Sequence, residues 1–583
     1  MDDAFREKVE RAVGKANVRW SLEGRYPYGF DGAPPERDAI PDGVAFVRST
    51  EQVQGVAMAC HEHRVPLTAR GGGSSLSGGP VAPAGGLVVD FNRMDAVLSV
   101  DPGDAVVCCQ PGVNCDDLNA TLASHGLFFP PDPGSSSVAT VGGMVANDSG
   151  GVQALKYGVT RHYVLWLEVV LADGERVRFG SRVLKSASGL NLAGLFVGSE
   201  GQLGLVTEVG LRVVPLPEAR RTGTYVFEDI VDACEAAVAV RVSGVLPNVL
   251  ELMDAATTAA ALDHLGVLED EVPRGNLLLV ECDGSQAAVA ADFERVDRLV
   301  TSRGPIHRDV AEDPTSRERV MSARKAALPA LSRSSPTTAI EDFTVRVTDV
   351  PAAVAGVQRL DERLSRAGVR VAVFGHVGDG NLHPTFTFDE RDPAQAAAFR
   401  EGLDALYREV VVPLGGSVTG EHGIGLVKSP YLELEHGTAA VAWFHRVKEL
   451  FDPLGILNPG KGKAAATTKF VRGPVFPESK PYRGPHTKAL SCMRCGFCVR
   501  SCPSWQEFRD EARSPRGRLA FVRGLLDHEL RPTRELQDVF MSCSLCGACA
   551  VKCPAGVEVN DVVEKLRRYL HGQAEEEKEG GGR

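Results

Sequence analysis

Arg70-Gly71-Gly72-Gly73-Ser74-Ser75-Leu76-Ser77-Gly78-Gly79 packs five glycines and three serines into ten residues, shortly after the apolar Val65-Pro66-Leu67. A loop of this kind turns backbone N–H groups toward an anion with no Cβ in the way, and its hydroxyls add donors, so a pyrophosphate suits it. It lacks the terminal lysine of a Walker A loop and the strand-Gly-x-Gly-x-x-Gly-helix spacing of the dinucleotide fingerprint. Alone, it reads equally well as a flexible loop. A second segment of the same character, Pro130-Pro131-Asp132-Pro133-Gly134-Ser135-Ser136-Ser137-Val138-Ala139-Thr140-Val141-Gly142-Gly143-Met144-Val145-Ala146-Asn147, favours the anion-binding reading.

Around these loops, from Ala45 to Leu216, short Val-rich runs such as Gly86 to Asp90 and Leu167 to Gly174 alternate with helical stretches such as Thr50 to His63, the pattern of a mixed α/β domain. Pro215-Leu216-Pro217 closes it. Downstream, helical windows at Asp292 to Thr301 and Ala352 to Ala367 mix with strands at Leu277 to Cys282 and Val369 to Phe374, predicting a second α+β domain. The Pro- and Gly-rich stretch from Lys461 to Leu490 reads as a linker. The expected division is 1–218, 219–465, a linker at 466–487, a cysteine-rich domain at 488–572 and a disordered tail at 573–583, whose charged and glycine-rich composition cannot bury enough apolar area.

Eight of the fourteen cysteines form two runs, Cys492, Cys495, Cys498, Cys502-Pro503 and Cys543, Cys546, Cys549, Cys553-Pro554. Three closely spaced thiolates wrap three irons of one cubane, and the fourth reaches across to the other cluster. The spacing therefore predicts two 4Fe-4S clusters, one on Cys492, Cys495, Cys498 and Cys553, the other on Cys543, Cys546, Cys549 and Cys502, with a helix from Arg513 to Glu529 between the runs. Structural zinc, which takes separated Cys pairs, fits less well. Cys60, Cys108, Cys109, Cys115, Cys234 and Cys282 are scattered and read as buried small hydrophobes.

Val373-Phe374-Gly375-His376-Val377-Gly378-Asp379-Gly380-Asn381-Leu382-His383 reads as strand, turn and strand, a hairpin that brings His376 and His383 together. Glu421, in Thr419-Gly420-Glu421-His422-Gly423, supplies a carboxylate, and two histidines with one glutamate form a known catalytic metal set. The alternative is a pair of surface histidines flanking a turn.

Together with Gly198-Ser199-Glu200-Gly201-Gln202-Leu203-Gly204-Leu205-Val206-Thr207, the two glycine–serine segments resemble the FAD-binding domain of vanillyl-alcohol-oxidase type flavoproteins. Within that family the chain is most similar to the D-lactate, glycolate and D-2-hydroxyglutarate dehydrogenase branch, over residues from about 40 to 465. The resemblance implies an α+β architecture: a two-subdomain FAD-binding domain, an α+β substrate (cap) domain and a mostly helical C-terminal dicluster ferredoxin-type domain.

It assigns to FAD the residues Arg70, Gly71, Gly72, Gly73, Ser74, Ser75, Ser77, Pro131, Asp132, Ser135, Thr140, Gly142, Gly143, Asn147, Gly201, Val206 and Asn458. His376, His383 and Glu421 would hold a divalent metal, zinc or manganese, that grips the substrate hydroxyl and carboxylate. His422 would take the hydroxyl proton, and Arg324 would pair with the substrate carboxylate, a task for which a guanidinium fork is suited. One departure is Ile340-Glu341, where some 2-hydroxyglutarate enzymes carry a lysine.

The expected activity is oxidation of a D-2-hydroxy acid to the 2-oxo acid, with electrons passing from FAD through the clusters. A flavin that used oxygen directly would not need a fused one-electron wire. The alternative is a non-catalytic flavin and iron–sulfur relay subunit of a larger complex. Larger relatives continue into a cysteine- and glycine-rich module, so a separate electron-accepting subunit or quinone-linked carrier is expected as partner. The net charge of −12 argues against nucleic acid. The charged start, Met1 to Glu7, and the lack of any 18-residue apolar run predict a cytoplasmic chain without a transmembrane segment, peripheral at the inner membrane through that partner.

Overall fold

The computed structural model describes residues 1–33, 39–267, 272–311, 313–462, 489, 491–527 and 529–580, with the side chains of 572–580 excepted. The linker expected at 466–487 lies outside these residues.

Helix Thr50–His63 forms where the sequence predicts it. Ser49 accepts a hydrogen bond from Gln52 N at its start, Arg64 takes a left-handed conformation at its end, and Val53, Val56, Ala57 and Cys60 line its buried face. It joins strand Gly43–Phe46 to strand Leu67–Arg70. Both pair in parallel with Leu87–Asp90, which lies between them. The glycine loop thus leaves the C-terminal end of a parallel strand, the edge at which open α/β sheets bind ligands.

Beside it stands an antiparallel five-stranded sheet in the order Val97–Asp101, Val106–Cys109, Leu205–Arg212, Val164–Val170, Arg176–Gly180. The second glycine–serine segment ends in helix Val141–Asn147, whose first turn is capped by Thr140. The six scattered cysteines are all buried, as expected. Burial pushes the Cys109, Cys234 and Cys282 thiols up to about 12, which leaves them unreactive.

From Ala219 onward a large antiparallel sheet runs His307–Val310, Ala219–Phe227, Asn276–Gly284, Val249–Met253, Arg370–His376, Asn381–Phe388, Thr337–Ile340. In the apolar run Leu277-Leu278-Leu279-Val280, alternate residues face opposite sides. Leu278 and Val280 pack with helices Ile230–Arg241, Gln286–Thr301 and Val350–Ser365, while Leu277 and Leu279 pack with Met321, Ala327 and Leu331 of helix Pro314–Leu331. Helices on both faces explain the unbroken apolar pattern.

The C-terminal region is helical, with Pro503–Phe508, Pro515–Leu526, Arg534–Met541, Ala548–Val551 and Val559–Gly580. The helix expected over 513–529 starts at Pro515, because Ser514 caps it by accepting from Gly517 N. The tail expected to be disordered from 573 is helical backbone through Gly580. Ala574, Glu575 to Glu577 and Lys578 are good helix formers, and extending a nucleated helix costs little. Residues 581–583 lie outside the described residues.

The start of the chain, which the sequence reading gives wholly to the flavin domain, is shared. Tyr26 and Phe30 sit in the core of the helical domain, Tyr26 stacks on Phe521 at 5.9 Å, and Tyr28 Oη accepts from Glu511 N at 2.9 Å. Among the described residues no helix is long and apolar enough to cross a membrane.

Candidate active site

One cavity brings together most of the residues singled out from sequence. Its lining includes Arg70 to Ser75, Ser135, Thr140, Gly142, Gly143, Asn147, Gly201 and Val206 from the two N-terminal sheets, Arg324, His376, His383, Glu421 and His422 from the cap, and Cys495 from the cysteine-rich domain.

The glycine loop is pressed against the second segment. A Cβ on Gly72 would collide with the Val138 carbonyl oxygen, and one on Gly71 with the Thr140 hydroxyl. Here the absence of a side chain is a packing requirement and not slack. Arg70 turns inward instead, donating to Phe30 O at 2.9 Å and lying over the Tyr28 ring.

Four residues assigned to the cofactor, Ser77, Pro131, Asp132 and Asn458, do not line the cavity. Ser77 donates to His422 O at 2.9 Å, and Asp132 lies 3.3 Å from Lys325 Nζ. Asn458 donates to Gly79 O and Glu200 O, tying the first loop to the third segment.

The histidine hairpin forms as predicted. Strands Arg370–His376 and Asn381–Phe388 pair with His376 opposite Asn381 and Phe374 opposite His383, and the two imidazoles stand at 87° with centroids 5.1 Å apart. Glu421 meets them. Its Oε1 lies 3.3 Å from His376 Nε2, 3.5 Å from His383 Nε2 and 3.5 Å from His422 Nε2. The surface alternative fails, since His376 is 5 % and His383 2 % exposed.

The two hairpin imidazoles differ in charge. Burial disfavours protonation of His376, but the carboxylates of Glu251 and Glu421 outweigh it and raise its pKa well above the usual range. His383 is held well below, by burial and then by the neighbouring His422 and His376 charges. Glu421 is well below the usual carboxylate range, since the histidines overcome its burial. A neutral His383 and an ionised Glu421 suit a divalent cation, which would displace the Nε2 proton of His376 while Glu251 keeps Nδ1 engaged. His376, His383 and Glu421 have ligand atoms within 4.8 Å of one another, so the set fits a metal.

Two carboxylates that the sequence reading did not single out hold the site together. Glu251 Oε1 accepts from His376 Nδ1 at 2.6 Å, and Glu251 Oε2 accepts from Arg324 Nε at 2.6 Å. Asp342 Oδ2 accepts from the backbone N–H groups of Gly420, Glu421 and His422, from Thr419 Oγ1 and from Lys428 Nζ. The available signal was an acid inside an apolar strand-like run, Glu251 alone in Val249-Leu250-Glu251-Leu252-Met253 and Glu341-Asp342 together in Ala339 to Val345.

In the helical domain the cysteines fall into two neighbourhoods. Burial raises Cys492 to about 12 and Cys495 to about 11, and Cys553 lies near enough to add to both and to Cys498. Cys549 is raised to about 11 by burial, with Cys543 and Cys502 adding to it. Each neighbourhood thus includes a cysteine from the other run.

Residues 41–180 match the model of an FAD binding domain, residues 216–462 that of the C-terminal domain of FAD linked oxidases, and residues 488–557 that of a 4Fe-4S dicluster domain. The glycolate oxidase subunit GlcD of Bacillus subtilis is 36 % identical over 466 residues, covering 80 % of this chain and 98 % of that one. The chain belongs to the FAD-linked oxidase family.

It is an FAD-linked oxidoreductase with a fused iron–sulfur domain. GlcD of Escherichia coli K12 is 37 % identical over 75 % of this chain and 86 % of its own, and a D-lactate dehydrogenase of Anaerostipes hadrus 34 % over 73 % and 90 %. Among solved structures, p-cresol methylhydroxylase superposes with a TM-score of 0.68 at 19 % identity, over 79 % of this chain and 97 % of that one, which shows a shared vanillyl-alcohol-oxidase type fold.

Proposed function

We propose that this enzyme oxidises a small D-2-hydroxy acid, of the lactate, glycolate or 2-hydroxyglutarate class, to the 2-oxo acid. The observation that carries the reading is one buried cavity in which His376, His383, Glu421, His422 and Arg324 face the glycine loop. The relatives named as glycolate oxidase subunits and as a D-lactate dehydrogenase support it.

Bound FAD supplies a two-electron acceptor, bound clusters a one-electron route onward to an external acceptor, and a divalent metal at His376, His383 and Glu421 would make a substrate hydroxyl more acidic. The protein's own groups do the rest. Arg324, fixed through Nε by Glu251 and resting 4.9 Å from the Phe374 ring centroid, keeps its terminal nitrogens for a substrate carboxylate. His422 stacks on His383 at 5.1 Å and 11°, and Asp342 holds its backbone N–H, so its ring is positioned to take the hydroxyl proton. Removing that proton from the oxygen favours departure of the hydride from the carbon that bears it, leaving the 2-oxo group. Glu251 fixes the His376 tautomer by accepting at Nδ1, which leaves Nε2 directed at Glu421.

The test is His422→Asn in the FAD-loaded protein, mixed anaerobically with hydroxy acid. FAD content stays at the wild-type level, and bleaching of the flavin by hydroxy acid slows by about a hundredfold or more. Wild-type rates in the variant would remove His422 from the chemistry.

A further inference from the structure

Arg516 is 1 % exposed and uses its whole guanidinium on two domains. Nη1 donates to Gly73 O at 3.0 Å and to Arg494 O at 3.2 Å, and Nη2 donates to Gly72 O at 3.0 Å. Glu511 holds Nε and Nη2 at 2.7 Å each. Gly72 and Gly73 belong to the glycine loop, while Arg494 lies between Cys492 and Cys495. A single buried cation therefore bolts the first cysteine run onto the cofactor floor. Gly496 leaves it room, since a Cβ there would come within 2.8 Å of Nη1.

Cys495 and Phe497 line the same cavity as Gly71 to Ser75. Two residues along the same helix, Arg518 is also 1 % exposed, but it faces the other neighbourhood. It donates to Cys502 Sγ at 3.7 Å and to Ser504 and Ser542 at 3.0 and 2.8 Å. The second neighbourhood reaches solvent. Cys546 is exposed, and Met541 and Val551, which flank it in sequence, are 64 % and 87 % exposed.

From this geometry we infer an order for the two clusters: the one held by Cys492, Cys495, Cys498 and Cys553 receives electrons from the flavin, with Arg516 as its positioning residue, and the one held by Cys502, Cys543, Cys546 and Cys549 delivers them to the outside. The inference rests on the proposed role of the clusters as the onward route. Each transfer between centres moves one electron, so reduced FAD gives up its pair in two steps and releases its N5 proton to solvent, and an external one-electron acceptor takes the electrons in turn. A buried positive charge beside a cluster favours its reduced, more negative state, so each arginine sets the potential of its own cluster.

The test uses holoprotein and needs no hydroxy acid. Titration with dithionite, followed by electron paramagnetic resonance, resolves two cluster signals. Arg516→Gln lowers the potential of one signal, and Arg518→Gln lowers that of the other. Light-driven reduction of FAD with a sacrificial donor, followed by freezing at millisecond intervals, fills the Arg516-sensitive cluster first. In Cys546→Ser that cluster remains and still fills from FAD.

Arg516→Lys serves where the glutamine variant does not accumulate folded protein. It keeps the charge, so the potential stays near the wild-type value, but it loses the fork to Gly72 and Gly73 and filling slows. The order is overturned if both arginine variants move the same signal, if Arg516→Gln moves neither, or if the Arg518-sensitive cluster fills first. An inactive hydroxy-acid assay alongside correct filling would refute the substrate reading and leave the order standing.

Discussion

Glu251→Gln tests how the cap organises the site. The carboxylate is fully buried and accepts from two donors at once, His376 Nδ1 and Arg324 Nε. An amide of the same shape accepts through one atom only. If its carbonyl stays with the charged Arg324, its NH2 group confronts His376 Nδ1, the imidazole proton moves to Nε2, and the atom directed at Glu421 can no longer bind a metal. Arg324, only 7 % exposed in its side chain, also loses its counter-ion.

Removing one partner of a buried pair costs about 3–5 kcal/mol. For a domain of this size each kcal/mol lowers the melting transition by roughly 2–4 °C. Loss of the tautomer-fixing contact should weaken metal affinity about 10- to 100-fold. Calorimetric titration of metal-stripped protein with Zn2+ and Mn2+, together with a thermal melt, measures both. An unchanged affinity for both ions would refute the role given to Glu251, and Glu251→Asp, which keeps the charge, should fall between the variant and wild type.

Gly72→Ala should lower FAD affinity by about ten- to a hundredfold, since relieving the clash with Val138 costs about 1–3 kcal/mol; the flavin-to-protein absorbance ratio reports it. Asp342→Asn should destabilise the cap by about 3–5 kcal/mol, because Lys428 is left buried without its counter-charge, and a denaturant melt measures the loss. Asp90 carries a pH signature. Burial lifts its carboxyl to about 7, above the roughly 3.9 of an unfolded chain. Between those values the folded state holds the proton and the unfolded state does not, so this group's contribution to stability falls as pH rises from about 4 to 7. The pH dependence of the melting temperature should be flatter in Asp90→Asn over that window; parallel curves would contradict it.

What was legible in the sequence is what local spacing encodes. The glycine loops, the histidine hairpin and the two cysteine runs each lie within about twenty residues, and there residue type and interval carry the chemistry. The contacts that were missed join distant parts of the chain. Glu251 and Arg324 are 73 positions apart, and Arg516 and Gly72 are 444 apart. No periodicity announces such pairs, although a lone acid in an apolar strand gives a hint. Ser77 and Asp132 show the converse, with residue types suited to a cofactor but side chains turned to His422 O and Lys325. The N-terminal segment escaped assignment to the helical domain because its partners, Asp510, Glu511 and Phe521, lie nearly five hundred residues away.

The most direct measurement is anaerobic absorbance of the FAD-, metal- and cluster-loaded enzyme during titration with D-lactate, L-lactate, glycolate and D-2-hydroxyglutarate, following the flavin band and the broad cluster absorption together. One of the D-acids or glycolate should bleach the flavin, and the cluster absorption should fall with it. Flavin and clusters that stay oxidised with all four acids, in protein that dithionite reduces fully, would contradict the assignment.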